Sequence, residues 1–218
     1  RKIYKLILND STLDAVLSTL SFFFPLATSS LYKGEKIPTL EEGVHECLKL
    51  KLRMILDIKE FDNKALTAVL EIFEKYQELY KVAIVSSFHP LFIYQLRKAN
   101  PNIICGLMWR PKFVSSDDLV NGRPRFRGPW KMTLGKIGDR LLDWSFHSWL
   151  WYVTGVSVVL IHKDAISQEY LRMWSTRGVR VIPWTINHPV EKQHFSSILN
   201  LPIMTDSLLI KFETMVKL

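Results

Sequence analysis

Residues 54–59 read Met54-Ile-Leu-Asp-Ile-Lys59, an apolar run that closes on an acid and a base two positions apart. The run predicts a buried strand. Because successive side chains of a strand alternate between its faces, Asp57 and Lys59 are expected on the same face. Two interpretations are open at this point. The pair is either an ion pair at a strand end, or a site where a carboxylate holds a metal ion beside a phosphate bound by the ammonium.

This strand belongs to a repeat of apolar strands and amphipathic helices. Strands are predicted at 53–59, 81–87, 102–108, 156–161, 179–184 and 202–206. Helices are predicted at 40–50, 63–80, 90–98, 167–177 and 190–198. Apolar strands separated by helices are typical of a parallel sheet covered by helices. The prediction is therefore an α/β fold of the TIM (β/α)8 type, here incomplete, with about six of eight strand–helix units.

In such a barrel the chemistry lies at the carboxyl ends of the strands. The polar and aromatic residues found there are Asp57, Lys59, Ser87, Phe88, Trp109, Arg110, His162, Trp184, Thr185, Asn187 and Asp206. Acid, base, aromatic and amide groups are thus predicted to gather at one rim.

Four of these strand ends resemble motifs of the glycerophosphodiester phosphodiesterase family. They are Leu56-Asp-Ile-Lys59, Val85-Ser-Ser-Phe88, Trp184-Thr-Ile-Asn187 and Met204-Thr-Asp-Ser207, and the segment Gly34–Leu40 is similar to the family's stretch before its third barrel strand. Residues 141–147 and 150–152 resemble a membrane-associated animal branch that acts on glycerophosphoinositol. The resemblance makes residues 34–218 a partial barrel domain with a basic and aromatic insert at about 110–153, and leaves residues 1–33 unassigned.

The resemblance implies metal-dependent hydrolysis of glycerophosphodiesters, such as glycerophosphoinositol or lysophospholipid-type substrates, to an alcohol and glycerol phosphate. It implies a divalent metal, Mg²⁺ or Ca²⁺, held by Asp57 where many relatives carry Glu. Lys59 is implied as the catalytic residue that contacts the phosphate. Trp184 is implied as the aromatic on the glycerol side, or alternatively as a barrel-core side chain. Asn187 and Ser87 are weaker candidates for the pocket wall.

The chain also departs from the family pattern. The His-Arg-Gly of the first family strand, the Glu-x-Asp of the second and the His-Asp after it have no counterpart at matching positions, and residues 1–33 contain no histidine. The exposed-looking pair His45-Glu46 fits an amphipathic surface instead. Since histidines supply general acid–base catalysis, we expect this chain alone to be inactive. The sequence fits either a fragment of an enzyme or a degenerate, non-catalytic barrel remnant that binds lipid or a partner.

The net charge of +8 is concentrated in the insert. Between Arg110 and Arg140 there are eight basic and three acidic residues, which predicts a basic loop. A basic surface attracts anionic lipid or nucleic acid, and nucleic acid is disfavoured because no recognition module accompanies it. We therefore expect an anionic membrane surface as a partner, and association with an endomembrane or the plasma membrane.

Two uncharged stretches raise the question of membrane insertion. Residues 144–162 are long enough to span a bilayer, but their β-branched second half favours a Trp-rich helix followed by a barrel strand. Residues 15–32 fit a membrane anchor, a replacement helix or non-native sequence, and lack a signal-peptide pattern. The two cysteines, Cys47 and Cys105, are interpreted as buried free thiols without zinc-site spacing.

Overall fold

The fold is built on one mostly parallel β-sheet. The computed structural model describes residues 39–59, 61–117 and 122–205, and the backbone alone of 3–8 and 20–21. The strands are β1 (Ile3–Leu8), β2 (Leu20–Ser21), β3 (Arg53–Ile58), β4 (Ala83–Ser87), β5 (Cys105–Trp109), β6 (Val158–His162) and β7 (Arg180–Trp184). They form one sheet in the order β2-β1-β3-β4-β5-β6-β7, in which all neighbours are parallel except β1 and β2.

Helices separate the parallel strands. They are α1 (Leu40–Lys49), α2 (Asn63–Lys75), α3 (Leu79–Val82), α4 (Pro90–Ala99), α5 (Pro129–Ser145), α6 (Trp151–Val153), α7 (Gln168–Thr176) and α8 (Pro189–Gln193). A π-helical turn, Phe146–Leu150, joins α5 to α6, and a second, His194–Ile198, continues α8. A 3₁₀ turn at Lys163–Ala165 precedes α7.

Local sequence signals explain where several helices begin and end. Thr39 and Glu42 form a reciprocal capping box at α1, with Glu42 N 3.0 Å from Thr39 Oγ1 and Thr39 N 2.7 Å from Glu42 Oε2. The side chains of Asp62 and Ser167 cap α2 and α7 by accepting hydrogen bonds from the backbone N–H groups of Lys64 and Tyr170. Gly178 follows α7 at a φ of 71°, a left-handed conformation that favours glycine.

Alternating side chains divide the buried apolar residues between two faces of the sheet. The helix-covered face holds the larger core, which includes Leu56, Val85, Leu107 and Trp174. The inner face holds a smaller cluster of Ile55, Met108, Val158, Leu160, Ile182 and Met204, with Phe88 and Trp184 packed against it. A parallel sheet that is buried on both faces is typical of α/β folds, among them the TIM barrel.

The fold class predicted from the sequence is confirmed, with differences in individual elements. Five of the six predicted strands form, and β1 was not predicted. Residues 202–205 are not a strand: Met204 N donates to Pro183 O at 3.0 Å and Met204 O accepts from Ile186 N at 2.8 Å, while Asp206 lies outside the described residues. Residues 81–82 belong to α3 and not to the following strand.

The insert is more regular than predicted. A basic loop was predicted between Arg110 and Arg140. Residues 129–145 instead form helix α5, which has Pro129 in its first turn. Apolar residues recur at helical spacing between the basic ones. The prediction of a loop was wrong because it rested on the charge of the segment and not on this spacing. The predicted helix-then-strand interpretation of 144–162 is confirmed, and within the described residues no helix is long and apolar enough to cross a bilayer.

The two cysteines are buried and free, as predicted. Burial raises the pKa of both thiols, that of Cys105 to about 12. The exposed positions of His45 and Glu46 on α1 agree with their interpretation as a surface pair.

Candidate functional site

The candidate site lies where the inner face of the sheet reaches the carboxyl ends of β3–β7. The residues at these strand ends form a polar and aromatic rim. Each one lies two or four positions after an inner-face residue of the same strand, so its side chain points to the same face. The rim side chains are Asp57, Lys59, Ser86, Phe88, Arg110, His162 and Trp184. Ile55 precedes Asp57 on this face in the same way that Met108 precedes Arg110 and Ile182 precedes Trp184.

Asp57 and Lys59 form the ion pair that the sequence predicted on one face. Asp57 Oδ2 is 2.9 Å from Lys59 Nζ, and Asp57 is fully buried while the Lys59 side chain remains 29% exposed. In the neighbouring strand Ser86 is the register partner of Asp57. A buried carboxylate therefore pairs with an ammonium that is partly exposed to solvent, and a cation at this position suits the binding of a phosphate.

Aromatic rings continue the rim from Lys59 to β7. Lys59 Nζ lies 5.3 Å from the centroid of the Phe88 ring, a cation–π distance. Phe88 meets Trp184 edge to face at a centroid distance of 5.6 Å, and Trp184 meets His162 in the same manner at 5.3 Å. The peptide bond from Trp184 to Thr185 is cis. Lys59, Phe88, Trp184 and His162 thus form one continuous wall.

Arg110 is a rim residue to which the sequence analysis gave no site role. It is 9% exposed, and its Nη2 donates to Ser116 O at 2.8 Å. Its guanidinium lies 5.3 Å from the Phe113 ring, and Phe113 stacks on Phe88 at 4.9 Å. A fixed guanidinium is a good anion-binding group. Its position after a strand had already placed Arg110 among the predicted rim residues, and its parity with Met108 is the signal that would have pointed it toward the site.

Ser87 and Ser86 lie on opposite faces of β4. The Ser87 hydroxyl donates to Ile58 O at 2.8 Å and accepts from His89 N at 3.1 Å, so it links β3 to the start of α4. Ser87 has the parity of Val85, which packs in the core beneath the helices. Ser86 instead shares the inner face with Ile84 and Phe88. The structure therefore places Ser86, and not the predicted Ser87, beside Asp57.

Asn187 lies beyond the end of β7 on the exposed surface. Its Oδ1 accepts a hydrogen bond from Thr205 Oγ1 at 3.2 Å, which ties the turn after β7 to residues 201–205. The structure thus joins Asp57, Lys59 and Trp184 in one wall and places Asn187 at its margin.

His162 is a titratable rim group between Trp184 and the 3₁₀ turn. Its Nδ1 accepts from Asp164 N at 3.4 Å. Burial lowers the pKa of this imidazole below its ordinary value, while the nearby Asp164 carboxylate opposes that shift. A neutral imidazole at the rim can accept a proton or a hydrogen bond from a bound ligand.

A metal ion needs more ligands than this rim supplies in the described residues. Within the described ranges there is no group of three or more His, Cys, Asp or Glu side chains that could hold a metal ion. Asp57 offers one carboxylate, and hard divalent ions take six or more oxygen ligands. The described part of the chain therefore fits one ligand of such a site and not the complete site.

A groove adjoins the rim on the side of the insert. It has a volume of about 210 Å³ and is lined by Trp109, Arg110, Pro111, Lys112, Phe113, Asp139, Arg140, Leu142 and Asp143. Arg110 and Phe113 belong to both the groove and the rim. Residues 109–113, at and after the end of β5, therefore face the inner side of α5 across the groove.

The comparisons with known proteins agree with this geometry. Glycerophosphodiester phosphodiesterase 1 of Bos taurus is 40% identical over 178 residues, which are 82% of this chain and 53% of that protein. The Homo sapiens protein of the same name is 38% identical over 177 residues, 81% of this chain and 53% of its own length. The chain thus spans about half the length of these relatives. No family model matches the chain.

Solved structures with low sequence identity share the fold. A glycerophosphodiester phosphodiesterase from Agrobacterium tumefaciens has a TM-score of 0.58 at 11% identity, covering 94% of this chain and 82% of that one. An Oleispira antarctica phosphodiesterase, solved in complex with its product sn-glycerol-3-phosphate, has a TM-score of 0.58 at 16% identity, covering 94% and 80%. The mostly parallel sheet and its helices described above therefore share the fold of these structures.

Proposed function

We propose that this chain, which is similar over 178 residues to glycerophosphodiester phosphodiesterase 1 of Bos taurus, forms part of a hydrolase that cleaves glycerophosphodiesters. The products are an alcohol and glycerol phosphate, and the proposed substrates are glycerophosphoinositol or lysophospholipid-type diesters. The observation that carries the proposal is the buried Asp57 paired with the partly open Lys59 at the rim. That the Oleispira antarctica relative of the fold binds glycerol phosphate supports it.

Lys59 is the proposed phosphate-binding residue. The Asp57 carboxylate at 2.9 Å orients the ammonium, and the Phe88 ring covers one side of it. A phosphodiester carries one negative charge, so a charge-assisted contact with Lys59 would stabilise both the bound ester and the extra charge that develops during hydrolysis. Arg110, held by Ser116 O and Phe113, offers a second cation on the same rim.

Trp184 and Phe88 are the proposed walls for the glycerol carbons. Their edge-to-face contact leaves an apolar corner next to Lys59, where carbon-bound hydrogens can pack while hydroxyls face solvent. Trp184 is half-buried and packs against the inner-face cluster. This packing fits the alternative of a barrel-core side chain, and the role of Trp184 as a wall for glycerol belongs to the proposal. Asn187 and the buried Ser87 remain weaker predictions for the pocket.

A divalent metal, Mg²⁺ or Ca²⁺, is part of the proposal for the whole protein. Asp57 would be one of its oxygen ligands, and such an ion neutralises charge on a phosphoryl oxygen when it is bound. Within the described residues no group of three or more His, Cys, Asp or Glu side chains forms a complete site around Asp57. We therefore assign Asp57 two roles, orientation of Lys59 and metal ligation, and the assay below separates them.

A second candidate function is binding of phosphate esters without turnover. The specific observation in its favour is that the described rim combines anion-binding groups with a single carboxylate. The chain also lacks the His-Arg-Gly motif of the family. In that case the rim would hold an anionic headgroup and release it unchanged.

The test compares the chain as it stands with a version that carries, in front of Gly34, the matching segment of the Bos taurus relative. Both are supplied with glycerophosphoinositol and Mg²⁺ or Ca²⁺, and released glycerol phosphate is measured. We expect turnover by the extended version alone. There, Lys59→Ala should lower kcat/KM by about 10- to 100-fold, the value of one charge-assisted contact to phosphate.

The matched control is Lys98→Ala, in the last turn of α4 and exposed, at the opposite end of the sheet from the rim. It should keep full kcat/KM. Asp57→Asn should raise the metal concentration needed for half-maximal rate. An extended version that binds glycerol phosphate but shows no turnover would favour the second candidate. Full activity of the Lys59→Ala variant would refute the role of Lys59.

A further inference from the structure

One side of the insert helix exposes an apolar stripe. Five large side chains recur at helical spacing along α5 and face solvent: Trp130 is 73% exposed, Leu134 51%, Ile137 48%, Leu141 60% and Trp144 62%. Positions separated by three or four residues lie on one helix face, so these five form one continuous strip. Tyr152 and Val153 of α6, which are 76% and 51% exposed, continue the exposed apolar surface.

The opposite side of α5 is fixed to the body of the protein. A β-carbon at Gly135 would lie 3.1 Å from the Phe126 ring, and one at Gly138 would lie 3.2 Å from Val114 Cγ1, so a larger residue would force these neighbours to shift by a few tenths of an ångström. Asp139 Oδ1 accepts from Val114 N at 2.7 Å. The helix therefore cannot roll its apolar stripe inward without breaking these contacts.

Completion of a barrel would leave this stripe uncovered. Helix α5 follows β5, which lies between β4 and β6 in the interior of the sheet. Additional strands would join at the sheet edges, beside β7 or β2, and not over α5. An exposed apolar strip of this length on a protein surface indicates a binding face.

The charges around the stripe identify the chemistry of its partner. Residues 122–153 contain six basic side chains, Arg123, Arg125, Arg127, Lys131, Lys136 and Arg140, and two acidic ones, Asp139 and Asp143. Asp139 is engaged with the backbone of Val114, and Asp143 Oδ1 is 3.1 Å from His147 Nδ1. All six basic residues are exposed: Lys131, Lys136 and Arg140 lie on α5, and the three arginines lie in the segment just before it. The partner is therefore apolar at its centre and anionic at its edge.

We propose that the apolar stripe, Trp130, Leu134, Ile137, Leu141 and Trp144, lies in the interface of an anionic lipid bilayer, parallel to its surface. Tryptophan and tyrosine favour the depth of the headgroups, and Lys and Arg on the flanks contact lipid phosphates. Each such basic residue contributes to attachment near an anionic surface. A second copy of this chain is a poorer partner, because pairing two stripes would bring both sets of basic flanks together.

This attachment would also orient the candidate site. The inner side of α5 lines the groove that adjoins the rim, through Asp139, Leu142 and Asp143. A bilayer on the outer side of the same helix would hold the groove close to the lipid surface. The proposal rests on the exposed helix and not on the phosphodiesterase activity, so binding can be measured without any turnover.

Vesicle co-sedimentation of the 218-residue chain tests the proposal, with phosphatidylcholine vesicles and with phosphatidylcholine vesicles that contain phosphatidylserine. We expect binding that rises with phosphatidylserine and falls with added salt. The double variant Leu134→Gln/Leu141→Gln should weaken binding by about 10- to 100-fold, since two leucines no longer leave water. The matched control, Leu50→Gln/Leu91→Gln, replaces leucines of similar exposure, 56% and 54%, elsewhere on the surface and should bind unchanged.

A charge series separates local contacts from net charge. Replacing Arg127, Lys131 and Lys136 by Gln should weaken binding to phosphatidylserine vesicles by about 10²-fold. Arg125 is left in place because it pairs with Asp117 at 2.6 Å. The control replaces Lys64, Lys81 and Lys98, exposed residues of other surfaces, with the same loss of charge. An equal loss in this control would overturn the proposal, as would unchanged binding of the leucine variant.

Sedimentation velocity without vesicles completes the test. The chain should be monomeric, and its circular dichroism should match that of both leucine variants. A dimer that Leu134→Gln/Leu141→Gln dissociates would assign the stripe to a second copy and overturn the lipid proposal.

Discussion

Removing the ammonium of Lys59 should destabilise the fold more than the loss of an ordinary surface charge. Lys59→Met keeps most of the aliphatic stem but leaves the fully buried Asp57 without the cation at 2.9 Å. Breaking a buried ion pair costs about 3–5 kcal/mol, whereas an exposed pair is worth about 0–1 kcal/mol. Because the Lys59 side chain is 29% exposed, solvent screens part of the effect. We expect a loss of about 2 kcal/mol in the free energy of unfolding.

Urea unfolding followed by circular dichroism measures this loss, and a double-mutant cycle assigns it to the pair. Asp57→Asn removes the buried charge, so the double variant Asp57→Asn/Lys59→Met should be more stable than the sum of the single losses predicts, by about 1–2 kcal/mol. Lys75→Met is the matched control: Lys75 lies 2.5 Å from Glu41, but both side chains are about half exposed, and its loss should matter far less. Additive single losses, or an equal effect of Lys75→Met, would refute the buried-pair reasoning.

Three further predictions concern the catalytic motifs, the rim histidine and the thiols. The chain as it stands should release no glycerol phosphate from glycerophosphoinositol with either metal, because general acid–base histidines typically contribute about 10²–10⁴-fold; turnover abolished by a chelator would contradict this. Because burial lowers the pKa of His162 in the folded state, the unfolded chain binds the proton first as the pH falls below the ordinary histidine value near 6.5. The free energy of unfolding, measured with urea, should therefore fall as the pH drops from about 7.5 to 5.5. His162→Gln should make this free energy depend less on pH, while the control His45→Gln, on the exposed side of α1, should leave the dependence unchanged. An unchanged pH dependence in His162→Gln would contradict the prediction. Cys47 and Cys105 are buried thiols with raised pKa, so a thiol reagent should modify them only as fast as the protein unfolds, and rapid modification of the native chain would show that one of them is accessible.

The order of strands and helices was predictable because it depends on patterns that are local in the chain. The apolar runs of β3, β4, β5, β6 and β7, the caps at α1 and α7, and Gly178 each act over a few residues. The shared face of Asp57 and Lys59 followed from strand alternation alone. Local patterns did not reveal β1, and they did not show that Pro202–Thr205 would hydrogen-bond to the turn after β7 without joining the sheet.

The composition of the rim depended on which face of each strand turned inward. Ser86 and Ser87 are equally polar neighbours, so their sequence does not show which one points to the inner face. Ser86 does so because Ile84 and Phe88, on the same side of β4, pack on the inner face with residues from β5, β6 and β7. Arg110 became a fixed cation because Phe113 and the carbonyl of Ser116 fold back over it. These contacts join separate segments, so no single stretch of sequence contains them.

The amphipathic spacing of α5 was present in the sequence, but its orientation was not. An apolar stripe at this spacing ordinarily faces a protein core. Here Gly135, Gly138 and Asp139 fix the other side of the helix, against Phe126 and Val114, and the stripe is left outside. Periodicity therefore determined that a helix would form with one apolar side. Only the packing between distant segments decided which side faces the protein, because close approach at two glycines and the hydrogen bond from Val114 N to the Asp139 carboxylate stabilise one rotation of the helix over the other.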